Sequence, residues 1–258
     1  MEVGRAGDPG LGPVLSRVIQ VGALLFPVLF LALWLWSPLG FWDALLLGSL
    51  VELLPVLALA QVPLAGQAPI PRIPAYLVSG LTILLLGGVS FLFGIRSLGL
   101  VEMGLGAISP GRAGAWTGGA ILCAVVLLAV FHGGRKVLGI QESPLLSQLL
   151  PRSSGEKALF VFLSCAAGLG EEVAYRGYVI PILAGVIGSV WGAAILSSMV
   201  FGVLHAYQGW LGIFRTGALG FLLAASFLLS GSLWPAILAH TIVDLLGGLV
   251  LGEALVRE

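Results

Sequence analysis

Charged side chains are scarce in this chain. Only 9% of its 258 residues are Asp, Glu, Lys or Arg, whereas 59% are hydrophobic, and the mean hydropathy is +1.09. Ordinary soluble domains carry about 25% charged residues, so this composition is typical of a membrane protein and predicts a lipid bilayer around it. The formal net charge is zero, and no basic run is interleaved with aromatic residues. These two absences exclude a nucleic-acid-binding surface.

Cysteine and histidine are also rare. The two cysteines, Cys123 and Cys165, each stand in an apolar run, which predicts small buried packing residues rather than a disulfide or a metal pair. None of the three histidines belongs to an HExxH motif, and no GxSG-type serine occurs, so zincin and serine hydrolase chemistry are excluded. The sequence GLGE at residues 168–171 resembles the GxGD motif of intramembrane aspartyl proteases, but their second transmembrane Asp motif is missing.

Long apolar runs occupy most of the chain. A helix needs about 20 apolar residues to cross the hydrocarbon core of a bilayer. The first run is too long for a signal peptide and lacks a cleavage site, so we expect it to be retained as a helix. We predict an all-α, polytopic transmembrane bundle with a membrane-embedded cavity. Its helices, about eight in number, are expected at residues 17–37, 42–64, 75–95, 115–132, 157–187, 190–208, 210–230 and 234–251.

The predicted spans divide the chain into four parts. These are a cytoplasmic N-terminal tail (1–16), a set of N-terminal transmembrane helices and connectors (17–156), a helical bundle that carries the polar motifs (157–251), and a C-terminal tail (252–258). Nine Lys and Arg residues fall on the side of the N-terminus and two on the opposite side. This asymmetry predicts that both termini lie in the cytoplasm, with the protein in the plasma (inner) membrane.

Glycines and aromatic residues suggest how the helices pack and where they end. The 38 glycines favour close helix packing, because small residues let backbones approach each other in lipid. Residues 96–114 and 133–156 are predicted connectors, the second a loop or an interfacial segment. Tyr207, Trp210 and Trp234 stand near span ends and are predicted interfacial anchors.

The few charges inside the apolar runs form three short clusters. A charge at bilayer depth costs several kcal/mol, so such groups are normally paired, face a protein or water-filled interior, and mark a functional site. We therefore expect the function to reside in these clusters. Their members are Glu171, Glu172 and Arg176 in GEEVAYRG, His205 in FGVLH, and His240 with Asp244 in AHTIVD.

Helical geometry assigns different positions to the two adjacent glutamates. Residues four apart share a helix face, so Glu172 and Arg176 are expected to form an ion pair, either structural or functional. Glu171 points about 100° away and has no basic partner on its own helix. A carboxyl group in a low-dielectric interior holds a proton more readily than in water, which suits Glu171 to general-base catalysis.

His205 and His240 complete the candidate site. His205 and Glu171 lie equally far from Gly188, so a hairpin turning there would place both at the same depth. Phe201 stands one helical turn before His205 and is expected to brace its ring, while Asp244 shares a helix face with His240.

Peptide hydrolysis needs an activated water and a group that stabilises the developing oxyanion. We expect Glu171 and His205 to hold the water, and His240 with Asp244 to face the oxyanion. No cofactor is needed for this chemistry. Imidazole and carboxylate also bind zinc, so a zinc site of Glu171, His205 and His240 is the alternative.

The three clusters together resemble the motifs of a known family. GEEVAYRG, FGVLH and AHTIVD are similar to the motifs EExxxR, FxxxH and HxxxN/D of the CPBP family. This family includes the type II CAAX prenyl endopeptidases and the bacteriocin-processing and Abi-type membrane proteins. The resemblance covers roughly residues 150–250 and agrees in motif order and spacing.

The resemblance implies a glutamate-dependent intramembrane protease that acts on a membrane-associated protein or peptide, although members of the family are also described as metalloproteases. It implies a catalytic Glu171 supported by Glu172 and Arg176. It further implies a water-activating His205 and an oxyanion site of His240 and Asp244.

One position departs from the family pattern. The prenyl endopeptidases have Asn at the last motif position, where this chain has Asp244. An ionised Asp would repel an oxyanion, so Asp244 must be protonated, orient His240 or bind something else, and a prenylated substrate is less expected. Two other functions stay open: a proton-coupled transporter, which would also use buried Glu, His and Asp, and a catalytically silent scaffold or immunity protein.

Overall fold

A computed structural model describes residues 11–62, 69–140 and 142–252 as helices joined by short connections. The α-helices are α1 (Leu11–Trp36), α2 (Phe41–Gly48), α3 (Leu54–Gln61), α4 (Arg72–Ser97), α5 (Pro110–Leu138), α6 (Pro144–Gln148), α7 (Ser154–Glu171), α8 (Ile180–Ile187), α9 (Val190–Leu204), α10 (Gly209–Ser230) and α11 (Trp234–Leu245). Three π-helical segments extend or join them: π1 (Ser49–Leu53), π2 (Glu172–Val179) and π3 (Leu246–Leu251). A 3₁₀ turn, Ala206–Gln208, links α9 to α10.

The described helices confirm an all-α polytopic membrane protein. Six helical stretches in the described ranges are long and apolar enough to cross a bilayer, and two shorter apolar helices accompany them. Six of the eight predicted spans overlap the six long stretches, although residues 63–64 of the second lie outside the described residues; the spans predicted at 190–208 and 234–251 overlap the two shorter helices, Val190–Leu204 and Trp234–Val250. The predicted tails extend into residues 1–10 and 253–258, outside the described residues, and so do two of the basic residues used to predict orientation, Arg5 and Arg257.

Local capping makes α5 longer than the predicted span. The helix begins after Ser109, whose side chain accepts a hydrogen bond from the Arg112 amide, and Pro110 occupies the first turn, where no donor is needed. It ends at Gly139, which has φ of 66°. The prediction that residues 133–156 form one connector is therefore wrong for its first residues, which continue α5, and the remainder contains the short helix α6.

The predicted hairpin turn at Gly188 is confirmed. Gly188 has φ of 74°, a left-handed conformation that glycine adopts without steric cost, and it separates α8 from α9. On the N-terminal side of this hairpin, α7 continues through π2 into α8 without a break in the chain direction. All eight residues of π2 are buried, so this segment passes through the middle of the bundle.

Close glycine contacts bring two neighbouring helices onto α7. A Cβ on Gly87 of α4 would meet Gly170 Cα at 2.5 Å, so the two helices touch through their backbones. A Cβ on Gly168 would overlap Thr241 Oγ1 of α11 and lie 2.9 Å from Ile237 O. These contacts allow α11 to approach the junction of α7 and π2, where the two glutamates lie.

The helices preceding α7 fasten π2 from the other side. The Tyr178 hydroxyl donates to Asp43 Oδ1 at 3.0 Å, and Asp43 Oδ2 accepts from Arg96 Nη2 at 3.0 Å and from Ser97 Oγ at 2.8 Å. Asp43 and Tyr178 are both buried, which strengthens these bonds. The position of the polar segment is thus defined partly by α2 and α4.

Cys123 and Cys165 are free, as expected, but both are exposed on the outside of the bundle, so the prediction of buried packing residues is wrong.

The sequence also predicts a membrane-embedded cavity. An apolar groove of about 470 Å³ lies between α9 and α10. Its lining, which includes Met199 and Phe214, contains none of the clustered ionisable residues, so this groove is separate from the expected cavity.

We expect Gly168→Ala to destabilise the protein. Its methyl group would push against Thr241 and Ile237 and move α11 away from α7, an overpacking cost of about 1–3 kcal/mol. The matched control is Gly118→Ala in α5, where a Cβ meets nothing within 4 Å. There the free energy of unfolding should stay unchanged or rise by up to about 1 kcal/mol. SDS titration in mixed micelles measures both, and equal effects would contradict the packing argument.

Candidate active site

Glu172 forms a buried ion pair with Arg176 across one turn of π2. Arg176 Nη1 donates to Glu172 Oε1 at 2.8 Å, and both side chains are almost completely inaccessible. Arg176 Nη2 also donates to the Gly220 carbonyl of α10 at 3.0 Å, and the guanidinium lies 4.3 Å from the centre of the Phe201 ring. The arginine thus connects π2, α9 and α10 around one carboxylate.

The same carboxylate oxygen also binds His240. His240 Nδ1 lies 2.7 Å from Glu172 Oε1. Because an arginine-paired carboxylate accepts hydrogen bonds, Nδ1 is the donor. The sequence predicted Arg176 as the partner of Glu172 and gave no reason to expect His240. The two residues are 68 positions apart, and only the packing of α11 on α7 brings them together.

The bond at Nδ1 sets the direction of the other ring nitrogen. His240 Nε2 lies 3.8 Å from Glu171 Oε2 and 3.6 Å from Asp244 Oδ2. Both distances exceed those of direct hydrogen bonds, so Nε2 is free to bind another group placed between the two carboxylates. The Asp244 side chain is 37% exposed, against 15% for Glu171, so the cluster opens at Asp244.

His205 stands at the end of α9 and contacts the cluster through Phe201. His205 Nδ1 lies 2.8 Å from the Phe201 carbonyl oxygen. A carbonyl accepts, so Nδ1 carries the hydrogen, and in the neutral form of the ring Nε2 is the unprotonated nitrogen. The Phe201 ring centre lies 4.8 Å from that of His205 and 6.1 Å from that of His240. Phe201 thus braces both imidazoles.

The described contacts bring the six residues together in two groups. Glu171, Glu172, Arg176, His240 and Asp244 form one connected set of side chains. His205 joins it through Phe201, and no direct hydrogen bond between His205 and Glu171 occurs among the described residues. The roles predicted for these residues remain predictions.

Zinc ligation does not fit this arrangement. The described ranges contain no group of three or more His, Cys, Asp or Glu side chains that could hold a metal ion. Of the expected ligands Glu171, His205 and His240, only Glu171 and His240 are in contact. Binding of zinc stays a prediction, and no chemical step below uses it.

Two further residues, Tyr207 and Gln208, lie close to His205. Tyr207 was predicted to be an interfacial anchor, but its ring centre lies 6.0 Å from that of His205 and it is only partly exposed. Its hydroxyl accepts a hydrogen bond from Gln208 Nε2 at 3.1 Å. Their position two and three residues after His205 was the only available signal, because the 3₁₀ turn is not evident from the sequence. Trp210, in contrast, is 70% exposed.

We expect Arg176→Met to lower the free energy of unfolding by about 3–5 kcal/mol, because removing one partner leaves Glu172 buried beside an apolar side chain. Arg152→Met is the control: Arg152 is exposed, so its replacement should change stability by no more than about 0.5 kcal/mol. Denaturant titration in mixed micelles gives both values. A loss below 1 kcal/mol at Arg176 would contradict the importance of the pair.

A comparison with protein families gives one match. The model of the family described as Type II CAAX prenyl endopeptidase Rce1-like matches residues 153–246, a stretch that begins just before α7 and ends just after α11. Every residue of the three polar clusters lies within it. Searches of the curated proteins and of the solved structures give no match.

Proposed function

Because residues 153–246 belong to the Rce1-like type II CAAX prenyl endopeptidases of the CPBP family, we propose that this membrane protein is an intramembrane endopeptidase with a glutamate as its base. It hydrolyses a peptide bond of a membrane-associated protein or peptide. One observation carries the proposal: from two separate helices, Glu171, Glu172 and Asp244 surround the imidazole of His240. Ionisable groups in the interior of a membrane protein are costly, and they usually mark a functional site.

Glu171 is the general base in this mechanism. It is only partly accessible, and its hydrogen-bonding capacity is not used by an arginine of its own helix. Glu171 binds the attacking water molecule. The neutral ring of His205 presents an unprotonated Nε2, which accepts a hydrogen bond from the same water. The water oxygen attacks the peptide carbonyl carbon while its proton passes to the Glu171 carboxylate. When the C–N bond breaks, the departing nitrogen takes that proton, and Glu171 is restored.

His240 stabilises the oxyanion. Nδ1–H is engaged by Glu172, so donation from Nε2 requires the doubly protonated ring. Asp244 at 3.6 Å offers the charge that supports this cation, which gives the aspartate a function other than contact with the oxyanion. An ionised Asp244 is therefore compatible with peptide hydrolysis, although the prenyl endopeptidases have Asn at this position.

The substrate and the membrane orientation are part of the proposal. A prenylated CAAX protein, a leader peptide and a membrane protein fragment all suit the chemistry. We propose that both termini lie in the cytoplasm of the plasma (inner) membrane, since nine basic residues stand on one side and two on the other.

Replacing the base tests the function. With purified protein in detergent and two substrates, an unbiased peptide library and a prenylated CAAX-type peptide, Glu171→Gln should lower the turnover rate by at least about 100-fold. Glu102→Gln, which changes an exposed glutamate of the α4–α5 connection, should retain wild-type turnover. Undiminished cleavage by Glu171→Gln would overturn the proposal. Absence of cleavage combined with proton-coupled uptake in liposomes would favour a transporter.

Metal removal distinguishes the glutamate mechanism from the zinc alternative. Because every proposed step uses only amino-acid side chains and no metal, dialysis against EDTA or 1,10-phenanthroline should leave turnover unchanged. Elemental analysis of the purified protein should find less than one zinc per chain. A stoichiometric zinc whose removal abolishes cleavage, and whose return restores it, would establish a metalloprotease instead.

A further inference from the structure

Four polar side chains form a continuous hydrogen-bonded chain that ends beside His205. Arg215 Nη1 donates to Glu142 Oε1 at 2.7 Å, and Arg215 Nη2 donates to Gln208 Oε1 at 3.1 Å. Gln208 Nε2 then donates to the Tyr207 hydroxyl at 3.1 Å. Glu142 and Arg215 are largely buried, which holds this chain in a protected environment. None of the four residues belongs to the three polar motifs.

Chemical necessity sets the direction of every hydrogen bond in this chain. A guanidinium can only donate, so Gln208 must turn its oxygen toward Arg215 and its amino group toward Tyr207. The Tyr207 oxygen therefore accepts, and its own hydrogen must point elsewhere. Among the residues that the structure describes, the Tyr207 hydroxyl hydrogen has no acceptor, because the hydroxyl takes part in no other hydrogen bond.

The surrounding backbone holds Tyr207 in place. Its carbonyl accepts from Ser143 Oγ at 2.9 Å, which ties the 3₁₀ turn to the connection before α6. Gly212 leaves room for the Gln208 side chain, because a Cβ there would overlap Gln208 Cβ. Ser143 thus holds the backbone of Tyr207 and Gln208 contacts its hydroxyl, while the ring lies beside that of His205.

The position of this hydroxyl suits a contact with substrate. The Tyr207 ring lies beside that of His205, with the ring centres 6.0 Å apart. The group is partly exposed and lies next to the water-binding residue. A rigid O–H donor with no acceptor in such a place is suited to an oxygen that arrives with the substrate.

We propose that Tyr207 is a further catalytic residue, whose O–H donates a hydrogen bond to the oxygen of the scissile carbonyl and to the oxyanion formed from it, together with His240 Nε2. The inference rests on the proposed protease function. In this assignment Glu142, Arg215 and Gln208 are positioning residues that keep the Tyr207 hydroxyl a donor.

Tyr207→Phe removes only the hydroxyl. Loss of one oxyanion donor typically lowers kcat by about 100-fold or more, so kcat should fall by that order while KM changes by less than about 3-fold. A peptide phosphonate, which mimics the oxyanion, should bind about 100-fold more weakly. The control is Tyr76→Phe, since the Tyr76 hydroxyl is buried and donates to the Leu149 carbonyl at 2.7 Å. Its kcat should remain that of the wild type.

Gln208→Glu reverses the direction of the hydrogen bond between residue 208 and Tyr207 without removing the tyrosine. A carboxylate at position 208 accepts from both Arg215 and Tyr207, so the Tyr207 hydrogen turns away from the substrate. We expect kcat to fall as in Tyr207→Phe, no further loss in the double variant, and an unchanged unfolding midpoint. Wild-type kcat for Gln208→Glu, or additive losses in the double variant, would overturn the inference.

The outcomes separate this inference from the proposed function. If the wild type cleaves, Glu171→Gln does not, and Tyr207→Phe keeps its kcat and its affinity for the phosphonate, the protease function stands and the role of Tyr207 is refuted. If the wild type cleaves no peptide, or Glu171→Gln cleaves as fast as the wild type, the proposed function is refuted and the role of Tyr207 with it.

Discussion

One carboxylate oxygen, Oε1 of Glu172, holds the site together. It accepts hydrogen bonds from Arg176 and from His240, and Arg176 in turn binds the Gly220 carbonyl and stacks on Phe201. The oxygen therefore connects α7–π2, α11, α10 and α9 at one buried point. A buried charge needs hydrogen-bonding partners from the protein where water cannot supply them, and Arg176 and His240 provide two at Oε1. The bond also orients the ring of His240, so that its Nε2 lies near Glu171 and Asp244.

Helix geometry allows so many groups to meet at that point. In π2 the chain turns more widely than in an α-helix, and such segments frequently occur at functional sites. Glycines at positions 87, 168 and 170 remove the side chains that would otherwise keep α4 and α11 at a distance from α7. The network of Asp43 and Tyr178 secures the same segment from the N-terminal helices, which lie outside the matched family region. The α1–α6 part thus contributes to the geometry of a site whose motifs all lie elsewhere.

The two histidines differ because their Nδ1 partners differ. Nδ1 of His240 faces a carboxylate, and its Nε2 lies between two more, an environment suited to a cation that donates. Nδ1 of His205 faces a backbone carbonyl, which leaves a neutral ring with a free acceptor. In the proposed mechanism this difference assigns the water to His205 and the oxyanion to His240. Tyr207 adds a donor whose direction is likewise imposed by its neighbour, Gln208.

The sequence by itself determined the fold class, the places of the apolar helices, the Gly188 turn and the three polar clusters, because hydropathy, helical periodicity and glycine conformation are properties of short segments. It also led to the pairing of Glu172 with Arg176, four residues apart. Only the tertiary structure decided the bond between Glu172 and His240, the exposure of Cys123 and Cys165, and the position of Tyr207 beside His205. These features depend on which helices pack together and how they are rotated, and packing between distant segments leaves no local pattern in the chain.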